Sequence, residues 1–228
     1  ILLTPHGLTP IRTGDSGGDY LQAIRDHEII LLRHGVYNFG FFAVADQPEG
    51  RRFAEWWADR LTHFCIDEVS EGLFTDQRWG DLVPVFFPDT EILTDPGYNV
   101  AAWNLIHRKV SGSVENGLEV NGTPLRFYHF TGFDSGAHTT VNKAYGSSQT
   151  AVAPLLDWYE EACRAEGQET EGRRVWAYAC YLDGTPITMA ERRFFRHHPD
   201  VEATFQNPFQ VAPDPSFKDW YRDHVGAP

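Results

Sequence analysis

Apolar positions along the chain change period several times, and each change marks an element. The opening "ILLTPH" is a short apolar run closed by Pro5 and His6, as a strand and its ending would be. "IRTGDSGGDY" (11–20) clusters Gly, Ser and Asp and reads as a loop. Gly35 is placed to end a short helix whose last turn carries Arg33 and His34, and "VYNFGFFAVA" behind it reads as a strand. Phe53, Trp56, Trp57, Leu61 and Phe64 recur at helical spacing, with Pro48 near the start, so one amphipathic helix is expected with its aromatic stripe in the core.

Farther along, "GLFTDQRWGDLVPVFFPD" (72–89) predicts a loop and a short helix ended by Pro84. "TEILTDPGYNVAAWNL" predicts a strand, a Pro-Gly turn and an Asn-rich loop. "IHRKV", "GLEV" and "LRFYHF" read as three strands, the last two joined through Asn121-Gly122. Beyond Gly146 the pattern turns helical. A helix over Pro154–Ala165 precedes a charged loop "QETEGRR", a strand and turn in "VWAYACYLDGTPI", and a helix over Ala190–His197. A Pro-containing tail and a last short helix follow. The expected class is α/β, a mixed sheet with flanking helices and a C-terminal helical extension. The domains are read as 1–146, a catalytic-core portion, and 147–228, an extension.

Composition narrows the partners. The 228 residues are 42% hydrophobic and 14% aromatic, enough for a sizeable core, and the formal charge is −13. That charge argues against a nucleic-acid backbone as partner, which needs clustered Lys and Arg. Cys65, Cys163 and Cys180 are odd in number and far apart, so reduced, buried thiols are expected rather than a disulfide framework or zinc site. No apolar run reaches the roughly 18–20 residues of a membrane span. A cytoplasmic location, including peripheral attachment at the inner membrane face, is the expectation.

Four clusters set polar groups among apolar ones: Asn38 in "YNFG", Asp76 and Gln77 in "DQRW", Asn99 and Asn104 around Trp103 in "YNVAAWN", and His129 with Gly132 in "HFTGF". Singly, each has an ordinary explanation. An Asn beside Gly serves a turn, Asp76 caps the helix it precedes, and a histidine at a strand end packs and hydrogen-bonds.

In series they resemble the glycogenin and bacterial lipopolysaccharide galactosyltransferase family of nucleotide-sugar glycosyltransferases. There a Y-x-N-x-G motif, a D-Q pair, an Asn-bearing loop and an H-x-x-G motif occur in that order. "GLFTDQRW", "DPGYNVAAWNL", "LRFYHFTGF" and "DGTPI…RRFF" are similar to a bacterial group of glycosyltransferases over nearly the whole chain. The resemblance implies the C-terminal part of an A-type nucleotide-sugar glycosyltransferase fold. It also implies sugar transfer from a nucleoside-diphosphate donor to a glycan or glycoconjugate acceptor, with retention at the anomeric carbon. A divalent cation, Mn²⁺ or Mg²⁺, would be held in part by His129. Gly132 would admit backbone close to the phosphates, and Asp76 and Gln77 would face the donor sugar. Asn38, Asn99, Trp103 and Asn104 would line the donor and acceptor sites.

The chain departs from the family in two ways. The Lys-Pro-Trp that follows H-x-x-G is replaced by Phe133-Asp134-Ser135, leaving Lys143 as the candidate for the diphosphate lysine or an ordinary surface residue. The metal-binding Asp-x-Asp is absent from all 228 residues, and the chain opens at Ile1 in mid-strand, so it is read as lacking the nucleoside-binding half. His6 then borders the site, or is a capping or surface residue. Trp79 shapes the acceptor pocket or packs in the core. The alternative class is a non-catalytic carbohydrate-binding or scaffold module, in which the seven Trp and nine Tyr grip glycans directly.

Overall fold

The structure, a computed structural model, describes residues 1–14, 19–133, 136, 150–212 and 214–226. The chain is mixed α and β with several small sheets, divided into two compact units, Ile1–Ala162 and Cys163–Pro228. The boundary expected at 146/147 lies outside the described residues. No described helix is long and apolar enough to cross a membrane.

In the first unit, β1 (Leu2–Pro5) pairs antiparallel with β2 (Tyr37–Ala43) and parallel with β5 (Glu91–Ile92). The β1–β2 register is broken. Leu3 faces Phe42, yet Thr4 faces Asn38, so Phe39, Gly40 and Phe41 bulge out of the ladder. The Thr4 hydroxyl closes the bulge by donating to Phe41 O at 2.5 Å. Bulges re-aim the side chains beside them, and here the one re-aimed is Asn38.

Between these strands lie α1 (Tyr20–Ile24), a π-helical turn (Arg25–Ile29) and α2 (Ile30–His34), the last ended by Gly35 as expected. The helix α3 (Pro48–Phe64) begins with Pro48 in its first turn, where a missing N–H costs nothing. Its aromatic stripe packs inward: Phe53 is buried with Leu3, Val83 and Phe87, and Trp56 and Trp57 pack against them. The stripe ends before Phe64, which is 48% exposed. A small hairpin, β3 (Ile66–Glu68) with β4 (Leu73–Thr75), leads to the 3₁₀ turn Arg78–Leu82 and α4 (Val83–Phe86). Pro84 therefore stands in the first turn of a helix and does not end one.

A second core gathers Val100, Leu105, Val110, Val120, Tyr128, Val152 and Leu155. It is built from a meander of β6 (Val110–Ser113), β7 (Gly117–Val120) and β8 (Thr123–Pro124) with helix α5 (Val152–Ala165). Asn121 (φ 53°) and Gly122 (φ 81°) form the expected turn between β7 and β8. "LRFYHF" is not a full hairpin strand. After Leu125 it leaves β7 and runs beside residues 97–100, joined by Val100 N–H to Phe127 O (3.0 Å) and His129 N–H to Val100 O (2.7 Å).

The second unit holds the short helix α6 (Gln168–Glu171) in the segment expected as a charged loop, then α7 (Met189–His197), α8 (Pro199–Thr204) and α9 (Phe217–His224). Its core is Tyr181, Val201 and Phe217. Thr188 and Glu191 cap α7 reciprocally, and Glu191 also accepts from the Tyr181 hydroxyl at 2.9 Å. The three cysteines are free, but Cys65 is exposed and the other two half-buried, so the expectation of buried thiols is corrected.

Phe53→Ala should destabilise the chain by about 3–5 kcal/mol in urea titrations, because the aromatic rings around it cannot collapse into the space. Phe64→Ala, on the exposed end of the same stripe, should change stability by less than about 1 kcal/mol.

Candidate functional site

The side-chain amide of Asn38 is the centre of the site. Its Oδ1 accepts from the backbone N–H of Gly40 at 2.9 Å, and a backbone N–H can only donate, so the amide orientation is fixed. The same oxygen accepts from Asn99 Nδ2 (3.0 Å) and from His129 Nδ1 (3.1 Å). Nδ2 donates to Gln77 Oε1 (2.9 Å) and to His6 Nε2 (3.1 Å). His6 just after β1, Gly40 of β2, Gln77, Asn99 of the 97–104 loop and His129 of the 125–130 segment thus meet on one buried amide.

Two tautomers follow. His129 must carry its proton on Nδ1, which places the lone pair on Nε2; His6 must carry its proton on Nδ1, because Nε2 accepts. Burial drives the His6 pKa down to about 4, further lowered by the neighbouring His129 and His34 and partly offset by the Val36 and Gly35 carbonyls. His6 is neutral at neutral pH.

The outer partners are also tied. Gln77 Nε2 donates to His34 O (3.0 Å), and Asn99 Nδ2 also donates to Thr4 Oγ1 (3.1 Å). Asn99 itself sits at φ 52°, a conformation Asn tolerates better than most residues. Asn104, at the end of the 3₁₀ turn Ala102–Asn104, donates through Nδ2 to His6 O (3.2 Å) and Asn99 O (3.0 Å), and its Oδ1 accepts from Ala101 N–H. Trp103 packs edge-on to His129, with ring centroids 5.3 Å apart.

Glycines explain two of the motifs. A Cβ on Gly40 would lie 2.2 Å from His129 Nδ1 and 2.6 Å from Asn38 Oδ1, so the Gly of "YNFG" leaves room for the histidine of "HFTG". Gly132 takes φ 67°, the left-handed region, and turns the chain just after His129.

Asn38, Gln77, Trp103, Asn104 and His129 line one cavity of about 400 Å³, with Asn99 buried behind the wall. His6 lines it too, which settles its place as a buried wall residue. Asp76 is not in the cavity wall. Its carboxylate accepts from the Thr75 hydroxyl (3.0 Å), its carbonyl accepts from Trp57 Nε1 (3.2 Å), and it makes no helix cap. The 3₁₀ entry sends neighbouring residues to different sides, which separates Asp76 from Gln77. Trp79 packs on Trp56 and Phe64, away from the cavity. Lys143 lies outside the described residues.

Another part of the cavity wall was not singled out in the sequence. The π-helical turn brings Asp26, His27 and Glu28 to the same cavity, and His34, His107 and Arg108 join them. Burial holds His27 below the ordinary imidazole value, with the Trp103 carbonyl and nearby Asp26 opposing. The signal available for it was the run of charged residues in "IRDHEI".

The His129 tautomer suits a single imidazole ligand, since metal-bound histidines usually donate their other N–H. Among the described residues, however, no three His, Cys, Asp or Glu side chains gather to hold a metal ion. The residues present therefore do not complete a metal-holding set.

No family model matches the chain, and no solved structure matches it significantly. The chain is 29% identical over 149 residues to the uncharacterized protein YfnF of Bacillus subtilis (strain 168), covering 64% of this chain and 49% of that protein. It is 31% identical over 103 residues to the uncharacterized protein YfnD of the same organism, covering 44% of this chain and 33% of that protein. The chain thus spans half the length of these relatives or less.

Asn38→Ala should cost at least about 3 kcal/mol in stability, because several buried donors and acceptors lose their partner together. It should also shift the His129 ring ¹⁵N resonances away from a pure Nδ1–H form. Gly40→Ala, which removes no hydrogen-bonding group, should displace His129 and produce the same ¹⁵N change.

For His6, the folded pKa lies below the unfolded value of 6.5, so between these two values the unfolded chain binds the extra proton. Stability should therefore fall as pH drops from about 7 to about 4, by roughly 3 kcal/mol from this group alone, and level off below. In urea midpoints measured across that range, His6→Gln should flatten the slope by about one proton; an unchanged slope would refute the assignment.

Proposed function

We propose that the chain is part of a nucleotide-sugar glycosyltransferase of the A-type fold, transferring a sugar from a nucleoside-diphosphate donor to a glycan or glycoconjugate acceptor with retention. One observation carries the reading. Polar residues from four separated motifs, at 38, 77, 99–104 and 129, converge on one cavity of about 400 Å³. A merely structural Asn, Gln or His would have no reason to meet its counterparts around a space of ligand size.

In this reading Gln77 offers the Nε2–H not donated to His34 O, Asn104 offers the second lone pair of Oδ1, Trp103 offers a ring face, and Asn38 and Asn99 hold the others in place. His129 would contribute one imidazole to a divalent cation, Mn²⁺ or Mg²⁺, for which the described residues supply no further cluster of ligands. When bound, such an ion offsets the charge gained by the leaving diphosphate. Gly132 lets the chain turn beside it. Lys143 remains the candidate for the diphosphate, and Asp76 would act from beside the cavity.

A second reading rests on the second unit, where Trp176 is 62% and Tyr178 54% exposed. Exposed aromatics of this kind would suit a non-catalytic carbohydrate-binding module.

Calorimetric titration of UDP and GDP into the chain with Mn²⁺, repeated in EDTA, tests the first reading. One nucleotide should bind with the metal, lose binding in EDTA, and weaken at least tenfold or so in His129→Ala. Binding that survives both changes would remove the role given to His129; glycan binding that needs neither metal nor His129 would favour the second reading.

A further inference from the structure

The cavity wall has a charge pattern that discriminates between the two halves of a nucleotide-sugar. The π-helical turn carries Asp26 and Glu28 into the wall. One oxygen of each is anchored: Asp26 Oδ1 accepts from Gln22 Nε2 at 2.8 Å, and Glu28 Oε1 accepts from Ile11 N–H at 2.7 Å. The second oxygen of each bonds no described residue, so each side chain is held in place with an acceptor left over.

Among the described lining residues there is one guanidinium beside these two carboxylates, that of Arg108. It is buried at 3% exposure, burial lowers its pKa to about 10, and its Nη1 donates to the Tyr98 carbonyl at 2.7 Å. His6, also in the wall, is neutral at neutral pH. A diphosphate is recognised by cationic donors and repelled by carboxylates. Sugar hydroxyls, in contrast, donate to carboxylates and accept from amides, and the apolar face of a sugar ring packs on an indole such as Trp103. Apolar Ile11, Leu31, Phe74 and Ile106 also line it.

We propose that this cavity binds an uncharged, polyhydroxylated sugar unit through Asp26 and Glu28 on the π-helical turn together with Gln77, Asn104 and Trp103, and that the diphosphate lies outside it. The inference rests on the glycosyltransferase reading for its biological sense, yet its chemistry stands on the wall alone. π-Helical turns often mark functional sites, and this one sets two carboxylates and a histidine along a single wall.

The test uses the intact chain without nucleotide or metal. Histidine ring resonances of His27, His34 and His129 are followed by NMR while methyl glycosides of glucose, galactose, mannose and N-acetylglucosamine are titrated, and separately inorganic pyrophosphate. At least one glycoside should shift these resonances saturably, and pyrophosphate should not. The paired change Asp26→Asn and Glu28→Gln keeps an oxygen for the Ile11 N–H and should weaken that glycoside roughly tenfold. Saturable shifts with pyrophosphate, inert glycosides, or glycoside affinity unchanged in the paired variant would each overturn the proposal. Glycoside binding together with failure to bind UDP or GDP would sink the transferase reading and leave this one standing.

Discussion

A single backbone N–H, that of Gly40, sets the orientation of everything around the cavity. It points at Asn38 and forces the amide oxygen toward itself, Asn99 and His129, leaving Nδ2 for Gln77 and His6. The N–H is available because Phe39–Phe41 bulge out of the β1–β2 ladder, where regular pairing would have consumed it. The first unit has two apolar cores, one around Phe53 and one around Val100 and Tyr128, and the bonds of this amide tie β2 to the loop and segment that carry Val100 and Tyr128. An apolar pair of the same shape would join two cores as well, but it would not fix which nitrogen of each histidine carries the proton. The network specifies one arrangement because turning the amide over would set donor against donor at Gly40, Asn99 and His129, even though His6 Nδ1 and Asn99 Oδ1 make no hydrogen bond among the described residues.

That constraint gives the motifs a physical meaning. The Gly of "YNFG" and the His of "HFTG" are one feature seen twice in the chain, since a Cβ on Gly40 and the ring of His129 compete for the same space. Gly132 serves a different need, a left-handed turn that stops the segment as soon as the histidine has been delivered. His129 itself is placed by backbone bonds to Val100, so the Asn-bearing loop and the histidine segment travel as a pair.

Elements with a periodic or turn signature were legible in the sequence: helix Pro48–Phe64 from its stripe, Gly35 as a helix end, Asn121-Gly122 as a hairpin turn. Pro84 was misread because proline stops a helix from within but opens one at its first turn, and only the 3₁₀ turn before it decides which. The polar clusters were legible as candidates, and most of them do line one cavity. Their arrangement was not, because it depends on a bulge, which has no periodicity. Asp76 and Gln77 are adjacent in sequence, so no pattern could separate them; a 3₁₀ entry and the Trp57 indole do. The π-helical turn was invisible for a similar reason, since "RDHEI" has ordinary helix formers and the extra residue in the turn leaves no mark in composition.

The coupling between the two histidines follows from the same geometry. Protonating His6 would place a second N–H, on Nε2, against Asn38 Nδ2, a donor facing a donor. Relief by turning the amide over would set Nδ2 against the Gly40 N–H, Asn99 Nδ2 and His129 Nδ1, three donors at once. Neither arrangement is acceptable in a buried site, so the penalty on charged His6 is a matter of directionality as well as desolvation. The neutral His6 in turn keeps the amide oxygen on His129 Nδ1 and the lone pair on Nε2. A histidine that reaches the cavity with its basic nitrogen already assigned needs no rearrangement when a ligand arrives, and that preorganisation begins with one bulged peptide in the second strand.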